Sequence, residues 1–347
     1  TIDEATKIAS ELQNAMNEPM NLVGQEVFVS ACIGIASLVA GYAQAEDVLA
    51  DAAYAMERSK SGGRGQILPY RREMRSHSSG EWMLLESELR HAVERDQFHI
   101  FYQPIIDLRS NQIIGFEGLL RWDRPEQGIV SPGLFIPLAE EIGEIIPIGE
   151  WLLNEGCRQL AEWNARPQQT SNPLFLSLNV SRRQIDEPLL INHVEAELLH
   201  SGIDPKTLKL EVTESLVMER PEEMSRVLTN LQAMNVKLAI DDFGTGYSSL
   251  ERLHAMPFDT LKIDRSFVTN ILVDQRRATI VRSVVEMAHA LGCDVVAEGV
   301  ETKTDVDMLI RAGCDLAQGF FYGRPVPAPE AERLLKLSTR PQLTVAN

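Results

Sequence analysis

From Phe98 onward the chain repeats one unit: a short apolar run of strand length, then a longer stretch with helical spacing. The runs fall near 99–108, 113–122, 174–181, 208–215, 237–243, 260–265, 294–300 and 316–322. Strands alternating with helices build βαβ units and a mainly parallel sheet. Eight such strands in about 250 residues predict an α/β fold, a (β/α)8 barrel. A turn at Arg109–Asn111 joins the first two runs as a hairpin, so one strand is expected to run antiparallel. An open doubly wound sheet is disfavoured, because no glycine-rich phosphate loop follows the first strand.

Upstream, residues 1–70 read as a small α+β segment. Ile8, Leu12 and Met16 recur at helical spacing behind Asp3, Leu22 and Val27–Ala36 form a hairpin-like pair, Asp47–Lys60 is a second helix, and Gln66–Tyr70 is a short strand. Residues 71–83 form a linker helix region, interrupted by the polar run Ser76–Gly80, and the barrel is expected over 84–340. The chain opens on Thr1 inside a helical pattern, as a piece of a longer polypeptide would. Lys and Arg number 33 against 50 Asp and Glu, a net charge of −17, which argues against nonspecific binding to nucleic acid or to an anionic membrane. Cys32, Cys157, Cys293 and Cys314 are scattered without zinc spacing and are expected to be reduced thiols. No apolar run is long enough to span a bilayer, so a cytoplasmic location is expected.

In a barrel, alternate residues of each strand face the lumen, and reactive groups collect at the carboxyl ends of the strands. Parity groups Glu117 with Leu119 and Arg121, Ser177 with Asn179, and Lys209 with Glu211 and Thr213. The strand ends contribute Glu117, Asn179, Glu211, Glu214, Asp241, Asp242, Lys262, Asp264, Glu298, Glu301 and Gln318. Any one acid alone reads most simply as a helix cap or a surface ion pair. So many at matching positions of successive strands read instead as a cation site, since clustered carboxylates share protons or bind metal. Oxygen donors without histidine select Mg2+, Mn2+ or Ca2+ over zinc.

The run Asp241–Leu250 reads Asp-Asp-Phe-Gly-Thr-Gly-Tyr-Ser-Ser-Leu. Adjacent acids at a strand end point in different directions, so Asp241 can bridge two cations while Asp242 reaches one. Two ions roughly 3.5–4 Å apart would clamp the attacking and leaving oxygens of a phosphodiester. The plainer alternative is a glycine turn with an acidic cap. Lys262 and Asp264 share strand parity. A lumen lysine serves either as a Schiff-base nucleophile or as a cation that opposes a phosphate and orients water. The surrounding acids favour the second role, because a lysine among carboxylates stays protonated; a purely structural Lys262–Asp264 pair is the plain alternative. No cysteine–histidine pair falls at neighbouring strand ends, so hydrolysis by metal-activated water is expected over covalent catalysis.

These segments resemble the EAL-domain phosphodiesterases that hydrolyse cyclic di-GMP. Tyr102-Gln103-Pro104, Glu117-Gly118-Leu119-Leu120-Arg121-Trp122, Asn179-Val180-Ser181, Glu211-Val212-Thr213-Glu214, the Asp241–Leu250 run, Lys262-Ile263-Asp264, Glu298-Gly299-Val300-Glu301-Thr302 and Gln318-Gly319-Phe320 occur in the family's order. The resemblance covers about residues 84–335. It implies a (β/α)8 barrel with one antiparallel strand, and hydrolysis of cyclic di-GMP to linear pGpG. Glu117, Asn179, Glu211 and Asp241 would ligate a first Mg2+ or Mn2+ ion, Asp241 and Asp242 would serve a second, and Ca2+ would inhibit. Glu298 would act as the general base or orient the attacking water, and Lys262 would hold that water or the scissile phosphate. Gln318 would support this network, with Glu301 as a conformational support near the base and Glu214 as anchor of the Asp242–Leu250 loop. Gln103 and Arg121 would contact substrate.

The implied partners are cyclic di-GMP, a second copy in a homodimer and an upstream sensory region of a longer, soluble or membrane-anchored parent; no nucleic-acid polymer is implied. One departure is Gly118, where the family carries alanine; by strand parity it points away from Glu117, so a small effect is expected. Two competing readings are a non-catalytic cyclic di-GMP receptor or scaffold, and an aldolase-like lyase acting through Lys262. Residues 1–70 resemble the C-terminal half of a GGDEF domain, through Ser30–Ala36, Ala52–Lys60 and Gly62-Gly63-Arg64-Gly65. The half bearing the catalytic turn is absent, so no cyclase activity is expected of these residues.

Overall fold

The computed structural model describes the 347-residue chain except residues 1, 17–19, 23–24, 28–30, 38–47, 50, 54, 57–58, 60–65, 71–78, 167–172, 220, 245–255, 270, 273–274 and 339–347. It divides into two units, Thr1–Ser87 and Glu88–Asn347.

In the second unit the alternating pattern produces eight barrel strands: β1 (Phe98–Asp107), β2 (Gln112–Arg124), β3 (Phe175–Asn179), β4 (Leu208–Thr213), β5 (Lys237–Phe243), β6 (Thr260–Ile263), β7 (Asp294–Ala297) and β8 (Leu316–Ala317). β1 and β2 form an antiparallel hairpin, β2 through β8 follow one another in parallel, and β8 pairs antiparallel with β1. The sheet is therefore a closed eight-stranded barrel with β1 reversed, as the turn at Arg109–Asn111 predicts. That turn is held by the backbone N–H of Asn111 donating to Asp107 O (2.7 Å), with Asn111 at φ 56°.

Strand alternation explains the layering. The helix-facing residues Leu176, Leu178, Leu208, Leu210, Val212, Leu238, Ile240, Leu261, Ile263, Val295 and Ala297 are all buried. Ile240, Leu261, Ile263, Val295 and Ala297 share one cluster with Val281 and Val285 of helix Gln275–Ala290 and Val306 and Leu309 of helix Lys303–Ala312. The intervening lumen residues Ser177, Lys209, Glu211, Thr260 and Lys262 are equally buried although polar, so each must find its partner inside the barrel.

The last strands end earlier than their apolar runs suggest. β7 stops at Ala297 and β8 at Ala317. Gly299 sits at φ +69°, and a Cβ on Gly319 would lie 2.2 Å from the backbone N and O of Val300. These backbones turn out of the ladder and stack on each other, which leaves Glu298, Glu301 and Gln318 on loops. β6 likewise stops at Ile263. Asp264 does not join the lumen acids; it caps helix Arg265–Val268, accepting from the Ser266 N–H at 3.0 Å. Capping boxes open two further helices, Ser181 with Gln184 and Thr302 with Asp305.

In the first unit, helix Ile2–Met16 accompanies two separate strand pairs. Met20–Leu22 pairs antiparallel with Gln25–Val27, while Ile33–Ile35 pairs in parallel with Ile67–Pro69. The single hairpin expected from Leu22 and Val27–Ala36 is thus replaced by two pairings. Gly34 explains the parallel one: a Cβ there would lie 2.0 Å from Ala52 O, so the crossover helix lies directly on this strand. In helix Ile2–Met16 the expected inward stripe is turned outward, with Ile8 58% and Leu12 57% exposed. Ala9 is buried instead, and Gln13 donates to Ala31 O at 3.0 Å, which fixes that face inward. The Gly62–Gly65 segment and the Ser76–Ser78 part of the polar linker lie outside the described residues. The four cysteines are free thiols, Cys157 and Cys314 buried. Among the described residues no helix is long and apolar enough to cross a membrane.

Candidate active site

Lys262 organises the carboxyl end of the barrel. Its side chain is 1% exposed, and its Nζ lies 2.6 Å from Glu211, 2.7 Å from Glu298, 3.1 Å from Asp241 and 3.6 Å from Glu117. These four carboxylates come from β2, β4, β5 and the residue after β7, so the strand-end parity converges on one ammonium. Burial alone would lower the pKa of Lys262; the surrounding carboxylates outweigh it and raise the value well above the ordinary one. Glu211 and Glu298 are raised too, chiefly because burial penalises their charged forms, with Lys262 opposing the shift. A proton-holding lysine among half-willing acids is a poor nucleophile and a good positive anchor.

The amide side chains extend the network. Asn179 Nδ2 donates to Glu117 Oε1 at 2.8 Å, which leaves its carbonyl oxygen as the outward donor atom. Gln318 Nε2 donates to Glu117 Oε2 at 2.5 Å and to Gln103 Oε1 at 3.0 Å, and Gln103 Nε2 donates to Gly323 O at 3.2 Å. Gln103 therefore sits two hydrogen bonds behind Glu117, through Gln318. Among the described residues the buried Gln318 Oε1 has no hydrogen-bond partner, so this corner of the site has an acceptor to offer.

Asp241 and Asp242 diverge at the end of β5. The backbone N–H of Asp242 donates to Asp241 Oδ1 at 3.0 Å, and Asp242 adopts φ 55°, in the left-handed region that turns its side chain away from the strand direction. Asp241, Asp242 and Glu298 bring carboxylate oxygens within 4.8 Å of one another. Burial, then the neighbouring Asp241, raises the Asp242 carboxyl above its usual range. One ammonium cannot neutralise Glu117, Glu211, Asp241, Asp242 and Glu298 together. Excess negative charge, all-oxygen donors and an orphaned amide oxygen fit hard divalent cations.

Glu214, buried at the start of helix Glu214–Glu219, accepts from the Gly244 N–H at 2.7 Å, so it holds the beginning of the loop that follows Asp242. A Cβ on Gly244 would meet the Phe267 ring at 2.7 Å, and φ there is +97°. Residues 245–250 of that loop lie outside the described residues. Arg121 is half-buried, donates to Leu120 O at 2.8 Å and lies 5.5 Å from the Phe101 ring; burial lowers its pKa and Glu117 partly restores it. Glu301 is exposed and stands apart from the Lys262 cluster's ion pairs; its backbone N–H donates to the helix-capping Asp305 at 3.3 Å.

The model of the EAL domain matches residues 86–325. The chain belongs to the EAL-domain family. It is 38% identical over 327 residues to the bifunctional diguanylate cyclase/cyclic di-GMP phosphodiesterase MucR of Pseudomonas aeruginosa, covering 94% of this chain and 47% of that protein. The cyclic di-GMP phosphodiesterase NbdA of the same organism is 34% identical over 333 residues, covering 96% of this chain and 42% of its own. The chain thus spans under half the length of these curated relatives. The solved PaMucR phosphodiesterase in complex with c-di-GMP superposes with a TM-score of 0.68 at 42% identity, covering 72% of this chain and 99% of that one.

One layer below the acids, this EAL barrel holds a second buried lysine. Lys209 Nζ donates to Thr260 Oγ1 at 2.7 Å and lies 4.4 Å from the Phe175 ring centroid. Lys209 stands two residues before Glu211 on β4, and Thr260 two residues before Lys262 on β6. The Glu211–Lys262 and Lys209–Thr260 contacts are therefore successive rungs between the same two strands, in the alternate-strand layering of barrels. Ala239 of β5 lies between them, in register with Glu211 on one side and Thr260 on the other. Parity alone groups Lys209 with Glu211. That Thr260 receives it could have been found by counting two residues back from Lys262.

Proposed function

We propose that the chain hydrolyses cyclic di-GMP to linear pGpG in a reaction that needs Mg2+ or Mn2+. The observation that carries this reading is the convergence of Glu117, Glu211, Asp241 and Glu298 on the Lys262 ammonium. Membership of the EAL family and the activities named for its relatives support it. Glu117, the Asn179 carbonyl, Glu211 and Asp241 would hold one ion, and Asp241 with Asp242 a second. When bound, the ions supply charge neutralisation for the phosphate and a lower pKa for water.

The chain's own residues do the rest. Lys262 directs its ammonium at the point where the phosphate's negative charge grows. Glu298, raised in pKa and hydrogen-bonded to Lys262 at 2.7 Å, takes the proton from the attacking water. The water oxygen bonds to phosphorus, the bond to the ribose 3′ oxygen breaks, and that oxygen is protonated as it leaves. Gln318 holds Glu117 in one orientation, and Gln103 and Arg121 contact the dianionic dinucleotide. Glu214 fixes the start of the Asp242 loop through Gly244, and Glu301 supports the segment that follows Glu298.

Chromatography of the products after incubation with Mg2+, Mn2+ or Ca2+ tests this. Linear pGpG is expected with the first two ions and not with Ca2+. Persistent binding of cyclic di-GMP with no product under any ion would make the chain a receptor instead. We further propose that residues 1–70 are the C-terminal half of a GGDEF domain and that the chain works in the cytoplasm as a homodimer, fed by an upstream sensory region of a soluble or membrane-anchored parent. Light scattering that finds fully active monomer would remove the dimer.

A further inference from the structure

We propose that Lys209 is a positioning residue that weakens the acid cluster's hold on divalent cations, a role that rests on the metal-dependent reading above. Its ammonium is buried in the lumen and held by a neutral hydroxyl and an aromatic face, Thr260 and Phe175. Its contacts with described residues include no ion pair, and Glu211, Asp294 and Asp259 attract it only from beyond ion-pair distance, so its positive charge is only partly offset where it stands. Glu211, two residues on along the same strand face, is the carboxylate that attracts it most strongly, ahead of Asp294 and Asp259. The Phe175 ring beside it belongs to an apolar cluster with Ile105, Val296 and Leu316, a medium that screens poorly.

A partly offset cation below five acids does two things. It stabilises the acids while no divalent ion is present, and it repels any divalent ion that binds above it. The Lys209–Thr260 rung fixes where that charge lies, because the small Ala239 between the two strands leaves the path across the lumen open. The burial of this lysine without an acid partner is otherwise costly. Its sign is what makes the role testable: a residue that merely filled space could not tighten cation binding on removal.

The experiment is a calorimetric titration of the substrate-free chain with Mn2+, repeated on Lys209→Met and Lys209→Arg, alongside the Mn2+ concentration that gives half-maximal hydrolysis. Lys209→Met is expected to bind Mn2+ about five- to tenfold more tightly, with the half-activating concentration falling in parallel, while Lys209→Arg stays near the unaltered chain. Unchanged or weaker binding in a folded Lys209→Met, with normal binding by the unaltered chain, overturns the proposal and leaves the metal-dependent reading intact. Failure of the unaltered chain to bind Mn2+ overturns both. If the methionine variant does not fold, Lys209→Gln, neutral but able to keep the Thr260 hydrogen bond, takes its place: tighter Mn2+ binding supports the role and unchanged or weaker binding overturns it.

Discussion

Lys262 and Lys209 occupy adjacent layers of one lumen, bridge the same two strands and are both buried, yet their chemistry diverges. Lys262 is ringed by four carboxylates and holds its proton well beyond the ordinary range. Lys209 meets a hydroxyl and a ring, and burial, only partly offset by Glu211, drops it to about 8. Depth is the same in both layers, so partner chemistry and not burial decides what a lysine becomes. A layer of acids makes an anchor; a layer of neutral groups makes a latent field source.

The largest effect is expected from breaking the upper layer. Lys262→Met should reduce hydrolysis at saturating Mn2+ by about 10³-fold or more, since it strips four carboxylates, two of them buried, of their common partner. Residual activity above a tenth, measured by product chromatography, would mean that the two lysines are equivalent after all. Glu298→Gln comes next, with kcat down about 10²- to 10⁴-fold and cyclic di-GMP affinity largely kept. A loss confined to KM would reassign Glu298 from proton acceptor to substrate contact.

Stability against pH should separate the layers without any mutation. Glu298 binds its proton up to about 8, against an ordinary value of 4.5, and Glu211 and Asp242 shift in the same direction. The folded metal-free chain therefore holds more protons than the unfolded chain across that window, and its stability falls as pH rises from about 4.5 to 8. For Lys209 the sign is opposite: between about 8 and 10.5 the unfolded chain holds the extra proton, so stability is regained as pH rises. Thermal melts across pH, with and without Mn2+, check both arms; added Mn2+ should flatten the lower one. The smallest effect is expected at Gly118→Ala, outside both layers. A Cβ there meets Leu178 Cδ2 at 2.6 Å, a flexible side-chain end, so the cost is about 1 kcal/mol in denaturant titration with hydrolysis unchanged.

Much of this architecture is legible in the sequence. The eight runs follow from strand-length segments alternating with helical ones, the hairpin from the turn at Arg109–Asn111, and the lumen face of Glu117, Glu211 and Lys262 from period-two alternation, which a strand cannot disobey without turning itself inside out. Asp264 shows the limit: its parity matches Lys262, but the strand ends one residue sooner and the side chain caps a helix instead. Where a strand stops depends on backbones crossing at Gly299 and Gly319, which no local pattern records. Ile8 and Leu12 show a second limit. Apolar spacing announces a helix but not which of its faces turns inward, here the one bearing Ala9.

Reversal of the first strand has a further effect on how the barrel is entered. Gln97 accepts from the Asp123 N–H at 2.8 Å and from Trp122 Nε1 at 3.1 Å, and Glu88 pairs with Arg124 at 2.5 Å, so the residues leading into β1 are fastened to the outgoing end of β2. That end is the rim above Glu117. A tug on residues 88–97 is thus delivered at the lip of the reaction vessel, a few residues from a carboxylate that must be aimed, and need not travel up through its walls.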